Sequence, residues 1–120
     1  MTETELRGLV AAFSGRRVAV VGDMMLDRYV WGRASRISQE APVPVVRVRD
    51  ETHVAGGAAN VVRNISGLKA APLPFGTLGE DEAGNRLDAC LRLETRNAGE
   101  LVRLPGRCTT VKTRVLAGNQ

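Results

Sequence analysis

Aromatic side chains are scarce in this sequence, since phenylalanine, tyrosine and tryptophan make up 3% of its 120 residues. A core built from this chain must therefore consist mainly of valine, leucine, isoleucine and alanine. Long apolar runs are also missing, because no segment approaches the roughly 20 consecutive apolar residues that a membrane-spanning helix requires. The N-terminal residues are acidic and amphipathic, unlike a secretory signal peptide. We predict a cytoplasmic protein with no membrane partner.

Cysteine is rare too, and the spacing of Cys90 and Cys108 matches no metal-binding motif. Since nothing points to secretion, both are predicted to be reduced thiols. The net charge of +4 raises the possibility of nucleic-acid binding. The arginines are scattered, however, and no basic helix or aromatic-studded sheet gathers them into one stripe. We therefore predict no nucleic-acid partner. Only the net charge supports the alternative of a nucleic-acid-binding domain.

A run of small residues, Ala55–Ala59, is the feature around which the rest of the chain is arranged. Asn60 follows it at the predicted start of a helix, whose apolar positions are Val61, Ile65 and Leu68. Glycines allow the backbone to approach a ligand closely, and a helix N-terminus offers free N–H groups. Two interpretations stay open: a binding turn for a polyhydroxylated or anionic small molecule, or a tight strand-to-helix turn without a ligand.

Helical and strand patterns alternate along the chain, which predicts an α/β protein. Helices are predicted to begin near Thr4, Asn60 and Asp81, and a turn is predicted at Asn97–Gly99. The predicted strands include Arg17–Val21, Leu73–Leu78, Leu101–Leu104 and Thr109–Ala117. The first strand is almost entirely apolar, which is typical of a central parallel strand covered on both faces.

Two carboxylates follow this first strand, at Asp23 and Asp27. In open α/β sheets, ligands bind at the carboxyl ends of the strands, so both side chains are placed to accept hydrogen bonds from a ligand. The alternative is that Asp23 shapes a turn and Asp27 caps a helix.

The pattern changes between residues 29 and 51. Tyr29–Gly32 and Val43–Arg49 are predicted strands, joined by an irregular loop at Ala34–Pro42. Pro42 and Pro44 restrict this pair to the edge of a sheet. The insertion is either a small flap over a site or an ordinary edge hairpin.

Four motifs occur in one order, namely Val20–Tyr29, Ser35–Val45, the Gly-Gly-Ala-Ala-Asn turn at 56–60, and Gly-x-x-Gly-x-Asp-x-x-Gly at 76–84. Together they resemble the start of the ribokinase-like (PfkB) carbohydrate kinases. Ser35–Val45 is most similar to the branch that phosphorylates heptose 7-phosphate for ADP-heptose and lipopolysaccharide, and so is Thr109–Gln120. The resemblance implies the N-terminal portion of a doubly wound, mostly parallel sheet with a small β flap at about 29–51. Residues 1–120 are then one incomplete kinase domain.

The resemblance also implies roles for individual residues. Asp27 matches the acid that holds sugar hydroxyls at the end of the first strand, and Gly56, Gly57 and Asn60 match the sugar-contacting turn. The flap covers the sugar in this family and often pairs two subunits, so a homodimer is expected.

Two cationic residues, Lys112 and Arg114, are candidate partners for the 7-phosphate of the substrate. Ammonium and guanidinium groups suit a phosphate dianion. A solvated face of the last strand would use the same residue types.

Several positions depart from the family pattern: Gln39, Val62, Lys69, Pro72 and Pro74. Gln39 replaces an expected proline, Val62 a small residue, and Lys69 the glycine that usually ends the helix. The prolines interrupt the following strand. We expect these changes to loosen that strand more than they alter sugar contacts.

The motif of the family's catalytic base, Gly-Ala-Gly-Asp, does not occur in the sequence, and neither does a Walker-type phosphate loop. Phosphoryl transfer needs a positioned base, an anion hole and usually Mg²⁺. The resemblance therefore implies that ATP and Mg²⁺ serve the complete enzyme, that this fragment binds neither well, and that it holds no catalytic residue. The alternative is a non-catalytic module for sugar-phosphate binding or dimerisation.

Overall fold

The computed structural model describes residues 1–95 and 100–118, so the turn predicted at Asn97–Gly99 lies outside the described residues. The elements are α1 (Glu3–Ala11), β1 (Arg17–Val21), β2 (Met24–Ile37), β3 (Pro44–Gly57), α2 (Ala58–Gly67), β4 (Ala71–Gly79), α3 (Glu82–Glu94), β5 (Leu101–Leu104) and β6 (Val111–Gly118). The strands form two three-stranded sheets, in the orders β1-β4-β5 and β3-β2-β6. The predicted α/β class is confirmed, with its strands divided between two sheets.

The first sheet is parallel throughout, because β4 pairs with β1 on one side and with β5 on the other. β1 is nevertheless not covered on both faces, and that prediction is wrong. Val20 is 7% exposed whereas Val21, on the opposite face, is 79% exposed. α2 and α3 pack on the Val20 face, and no helix in the described part of the chain covers the other.

β4 is a regular strand in spite of Pro72 and Pro74. The Ala71 N–H donates to the Arg16 carbonyl at 2.7 Å, and the Phe75 carbonyl accepts from Gly22, so alternate residues of β4 bond to β1. Pro72 and Pro74 alternate with these bonded residues, so their backbone nitrogens point toward the β5 side of the strand. Pairing with β5 begins only at Gly76, beyond both prolines. The missing proline N–H groups therefore cost no ladder hydrogen bond.

The hydrophobic core lies between the two sheets and is completed by α2 and α3. Its buried members are Val20, Met24, Leu26, Ala55, Ala59, Val62, Leu78, Leu87 and Leu91. Each fully buried leucine contributes roughly 1.5–3 kcal/mol relative to an exposed one. Cys90 is half-buried and Cys108 exposed, and both are free thiols.

α2 begins two residues earlier than predicted, with Gly57 as its N-cap, so Asn60 lies in the first turn and not at the mouth. This start turns Ala59 and Val62 into the core, while Val61 and Leu68 are each 46% exposed. The predicted apolar face is therefore wrong except for Ile65, which packs against the core. Lys69 ends the helix with φ +64°, the left-handed conformation that a glycine usually supplies there.

The flap is longer and more regular than predicted. β2 and β3 pair as antiparallel strands along their whole length, and the predicted loop at Ala34–Pro42 shrinks to residues 38–43. Bulges between Trp31 and Gly32 and between Ala34 and Arg36 absorb the irregular stretch. β3 forms an edge of its sheet, as the prolines predicted, whereas β2 is the middle strand. Asp27 consequently lies inside β2 and not at the end of β1.

α1 begins at Glu3, next to the predicted start at Thr4, and is capped by Thr2, which forms a capping box with Glu5. The large apolar side chains of this helix are exposed, namely Leu6, Leu9 and Val10, and so is Phe13 in the turn that follows it. No helix within 1–95 or 100–118 is long and apolar enough to cross a membrane.

Candidate functional site

A carboxylate, an arginine and a tyrosine meet on one face of the second sheet. The parallel register of β2 and β6 places Asp27 beside Lys112 and Tyr29 beside Arg114. The Arg114 Nη1 lies 3.0 Å from Asp27 Oδ1, and the guanidinium carbon lies 5.2 Å from the centroid of the Tyr29 ring. An ion pair and a cation–π contact thus join β6 to β2 at this point.

The Asp27 carboxylate keeps an acceptor that this ion pair does not fill. Its side chain is 16% exposed, and Oδ1 is buried without a hydrogen bond from any described residue, since Arg114 approaches at 3.0 Å without hydrogen-bond geometry. A buried carboxylate oxygen is costly to leave without a donor. Arg114 already contacts this oxygen, so a ligand would reach the carboxylate through the exposed part of the Asp27 side chain.

Gly56 makes the close packing around this carboxylate possible, and Gly57 forms the turn next to it. A Cβ atom on Gly56 would lie 2.7 Å from Asp27 Cγ. Gly57 has φ +55°, and a Cβ atom there would lie 2.7 Å from the Asp23 carbonyl oxygen. That carbonyl accepts the Ala58 N–H at 2.9 Å, so Asp23 shapes the turn through its backbone. The small residues thus form a strand-to-helix turn directly against Asp27.

The other two predicted site residues are less tightly placed. Asn60 is exposed on the first turn of α2 and makes no side-chain hydrogen bond to another described residue. Lys112 is exposed on β6, on the same face as Asp27, and it forms no ion pair within residues 1–95 and 100–118. The structure thus brings Asp27, Gly56, Gly57 and Arg114 together, with Lys112 beside them. Sequence reasoning missed Tyr29, which shares a face with Asp27 only because β2 begins at Met24.

A second charged cluster, also missed, lies on the opposite face of the same strands. Arg28 on β2 forms an ion pair with Glu51 on β3, and His53 Nε2 lies 3.4 Å from the same carboxylate. The hydrogen bond from Arg28 is the main reason that the pKa of Glu51 lies below its usual value. This cluster fastens the base of the flap on the side away from Asp27.

A third polar cluster fastens the start of β6. Asp81 caps α3 by accepting the Gly84 N–H at 2.8 Å, as the sequence predicted. The same carboxylate accepts the hydroxyl and the backbone N–H of Thr109, each at 2.7 Å. The hydroxyl of Thr109 is the largest cause of the lowered pKa of Asp81.

Comparison with known proteins identifies the family. The profile described as pfkB family carbohydrate kinase matches residues 16–120. The chain belongs to this family. Among curated PfkB relatives, the bifunctional protein HldE of Caulobacter vibrioides is 46% identical over 114 residues, which is 95% of this chain and 24% of that protein. HldE of Desulfatibacillum aliphaticivorans is 49% identical over 111 residues, 92% of this chain and 23% of its own length.

Solved structures confirm the ribokinase-like fold of this PfkB chain. A carbohydrate kinase from Agrobacterium tumefaciens superposes with a TM-score of 0.62 at 22% identity, over 87% of this chain and 33% of that one. Phosphofructokinase-2 from Escherichia coli gives a TM-score of 0.61 at 18% identity, over 86% and 31%. The chain spans about a quarter of the HldE relatives and a third of these structures, so it corresponds to part of their domain.

Proposed function

We propose that this chain forms the sugar-binding part of an ATP-dependent kinase whose substrate is heptose 7-phosphate. The observation that carries the proposal is the Asp27 carboxylate, which lies against Gly56 with 16% of its side chain exposed and whose Oδ1 accepts no hydrogen bond from a described residue. Membership of a carbohydrate kinase family supports the reaction class. The heptose-branch motif at Ser35–Val45 and the HldE relatives support the sugar. The transfer would occur to the anomeric hydroxyl, in ADP-heptose and lipopolysaccharide core synthesis.

Sugar hydroxyls suit the chemistry of this site. Asp27 accepts hydroxyl protons as a charged acceptor, and such hydrogen bonds contribute roughly 1.5–3 kcal/mol each. Gly56 carries no side chain that would occupy the space beside the carboxylate, and Gly57 allows the turn that follows it. Asn60, exposed on the next helix, offers both a donor and an acceptor. In our proposal these four residues hold and orient the sugar.

The 7-phosphate is assigned to Lys112 and Arg114, which share a face of β6. Arg114 already contacts Asp27 and Tyr29, so only some of its N–H groups are free to donate to a phosphate. The Lys112 ammonium group forms no ion pair or hydrogen bond with another residue in the described part of the chain. We therefore propose that Lys112 supplies most of the selectivity for a phosphorylated sugar, and that Arg114 mainly orients Asp27.

ATP and Mg²⁺ are not assigned to these residues. Among the described residues, no group of three histidine, cysteine or acidic side chains lies close enough together to hold a metal ion. Asp27, the acid best placed for a ligand, is already paired with Arg114. We propose that both cofactors bind the remainder of a complete kinase.

The flap carries the argument for a homodimer. Its exposed apolar side chains include Trp31, Ile37 and Val48, at 46%, 69% and 54% exposure. Apolar residues in an exposed ribbon favour burial against a partner. We propose that the flaps of two chains pair. A non-catalytic dimerisation module, the alternative function, would use the same interface. A cytoplasmic location stays a prediction.

The sugar assignment is tested by replacing Lys112 with methionine in a complete kinase that carries this sequence. Calorimetry should show affinity for heptose 7-phosphate reduced about tenfold, the loss of one charge-assisted contact. Affinity for unphosphorylated heptose should be unchanged. Lys69→Met removes the same charge from an exposed site at the end of α2 and serves as the control. Equal losses for both sugars would contradict the assignment of Lys112 to the phosphate.

The chain alone should show no kinase activity. Neither a Gly-Ala-Gly-Asp turn nor a Walker-type phosphate loop occurs in the sequence, so we assign the base and the anion hole for phosphoryl transfer to the remainder of a complete kinase. An assay coupled to ADP release, with heptose 7-phosphate and ATP, should remain at the background rate. Turnover that co-purifies with the chain would contradict the division of roles proposed above.

A further inference from the structure

The connection between β5 and β6 carries the chain from one sheet to the other. β5 lies at an edge of the parallel sheet, whereas β6 pairs with β2 in the second sheet. Thr109 stands in this connection, two residues before β6, and is 6% exposed. A buried hydroxyl needs hydrogen-bond partners. Both of its partners lie at the junction of β4 and α3, one at the end of β4 and the other at the N-cap of α3.

Asp81 and Gly79 are these partners. The Thr109 hydroxyl donates to Asp81 Oδ1 at 2.7 Å and accepts the Gly79 N–H at 2.8 Å. The backbone N–H of Thr109 donates to Asp81 Oδ2, also at 2.7 Å. Gly84 allows the close approach, because a Cβ atom there would lie 2.8 Å from Thr109 Oγ1. One carboxylate thus caps α3 and holds residue 109 in place.

From Thr109 the chain runs directly into the candidate site. The Leu26 N–H donates to the Thr110 carbonyl at 2.9 Å. Pairing then continues from Leu26 and Val111 to Tyr29 and Arg114. A one-residue shift of β6 would turn its side chains to the opposite face and separate Arg114 from Asp27. The contact between these two residues therefore depends on where β6 begins.

We propose that Asp81 and Thr109 are positioning residues for sugar binding, because they set the start of β6 and so place Lys112 and Arg114 beside Asp27. Both act through β6 and not through direct contact with a ligand. The lowered pKa of Asp81 agrees with this role, since its carboxylate stays ionised while it accepts three hydrogen bonds. The test by sugar affinity rests on the proposed function. A second test, by hydrogen exchange, does not depend on it.

Thr109→Val in a complete kinase keeps the shape of the side chain and removes its hydroxyl. We expect the KM for heptose 7-phosphate to rise about five- to tenfold, as expected for one lost hydrogen bond, with the KM for ATP unchanged. Thr109→Ser keeps the hydroxyl and should restore wild-type values. Thr110→Val alters the exposed neighbouring threonine and should have no effect. A lower kcat with both KM values unchanged would indicate a purely structural role and overturn the inference.

Hydrogen exchange on the unaltered protein provides the second readout, which does not depend on a variant that folds or on a substrate. If Asp81 holds the start of β6, the amide of Thr109 should exchange no faster than the amides of β6. A Thr109 amide that exchanges about tenfold faster than those of β6 would show that β6 is held without this contact, and would overturn the inference.

The two proposals can fail separately. If Asp27→Asn leaves sugar affinity unchanged, the proposed function is wrong. If Asp27→Asn weakens binding and Thr109→Val does not, only the positioning role of Asp81 and Thr109 is wrong.

Discussion

Replacing Asp27 with asparagine should weaken sugar binding about 10- to 100-fold in a complete kinase that carries this sequence, at 1.4 kcal/mol per factor of ten. The amide keeps the shape of the side chain but lacks the charge, and its NH₂ group would donate where the carboxylate accepts. The substitution also removes the ion-pair partner of Arg114, at 3.0 Å. Titration calorimetry with heptose 7-phosphate measures the loss directly.

Asp23→Asn is the matched control for this experiment. Asp23 is exposed and contributes to the turn through its carbonyl, which the substitution leaves in place. Sugar affinity in this variant should stay at the wild-type value, and the KM for ATP should be unchanged in both variants. A raised KM for ATP in Asp27→Asn, with sugar affinity unaltered, would show that this face does not bind the sugar.

Gly57→Val should be more damaging still. Gly57 has φ +55° and ψ −131°, a conformation that costs a side-chain-bearing residue about 1–3 kcal/mol. Its Cβ atom would also lie 2.7 Å from the Asp23 carbonyl oxygen, so the turn must move. Since this turn leads from β3 into α2, sugar affinity should fall by more than about 100-fold, and thermal unfolding should shift to lower temperature.

Gly67→Val is the control that separates the effect of the positive φ at Gly57 from the effect of replacing any glycine with valine. Gly67 ends α2 without a positive φ, and a Cβ atom there would meet nothing within 4 Å. We expect a change in stability of less than about 1 kcal/mol and normal sugar affinity. Similar losses for both valine variants would mean that the conformation of Gly57 is not what the site requires.

Local signals in the sequence predicted most of the elements. The apolar run in β1 and the helix start near Asp81 each depend on neighbouring residues, and each predicted an element that the structure contains. The strand after α2 was predicted in spite of Pro72 and Pro74, whose positions between the bonds to β1 explain why it forms.

The parts that sequence reasoning missed depend on distant partners. Ala34–Ile37 has the composition of a loop, yet pairing with β3 makes it a strand. Val21 is as apolar as Val20, and only the arrangement of α2 and α3 on one face decides which of them is buried.

In the candidate site, too, contacts between residues far apart in the sequence could not be predicted. Gly56, Gly57 and Asp27 could be selected by residue type and order along the chain. Tyr29 could not, because its contact with Arg114 joins residues 85 positions apart in the sequence.

That separation has a consequence for the order of folding. The β2–β3 hairpin closes a loop of only six residues, from 38 to 43, and hairpins of this kind form in microseconds. Pairing of β6 with β2 must instead close a loop of about 80 residues, and such non-local contacts form slowly because the entropy of closure comes first. During synthesis, β6 also leaves the ribosome after α1, α2, α3 and the other five strands. Asp27 is therefore expected to lie for a time on an already paired hairpin without its arginine, and the candidate site to mature after the flap.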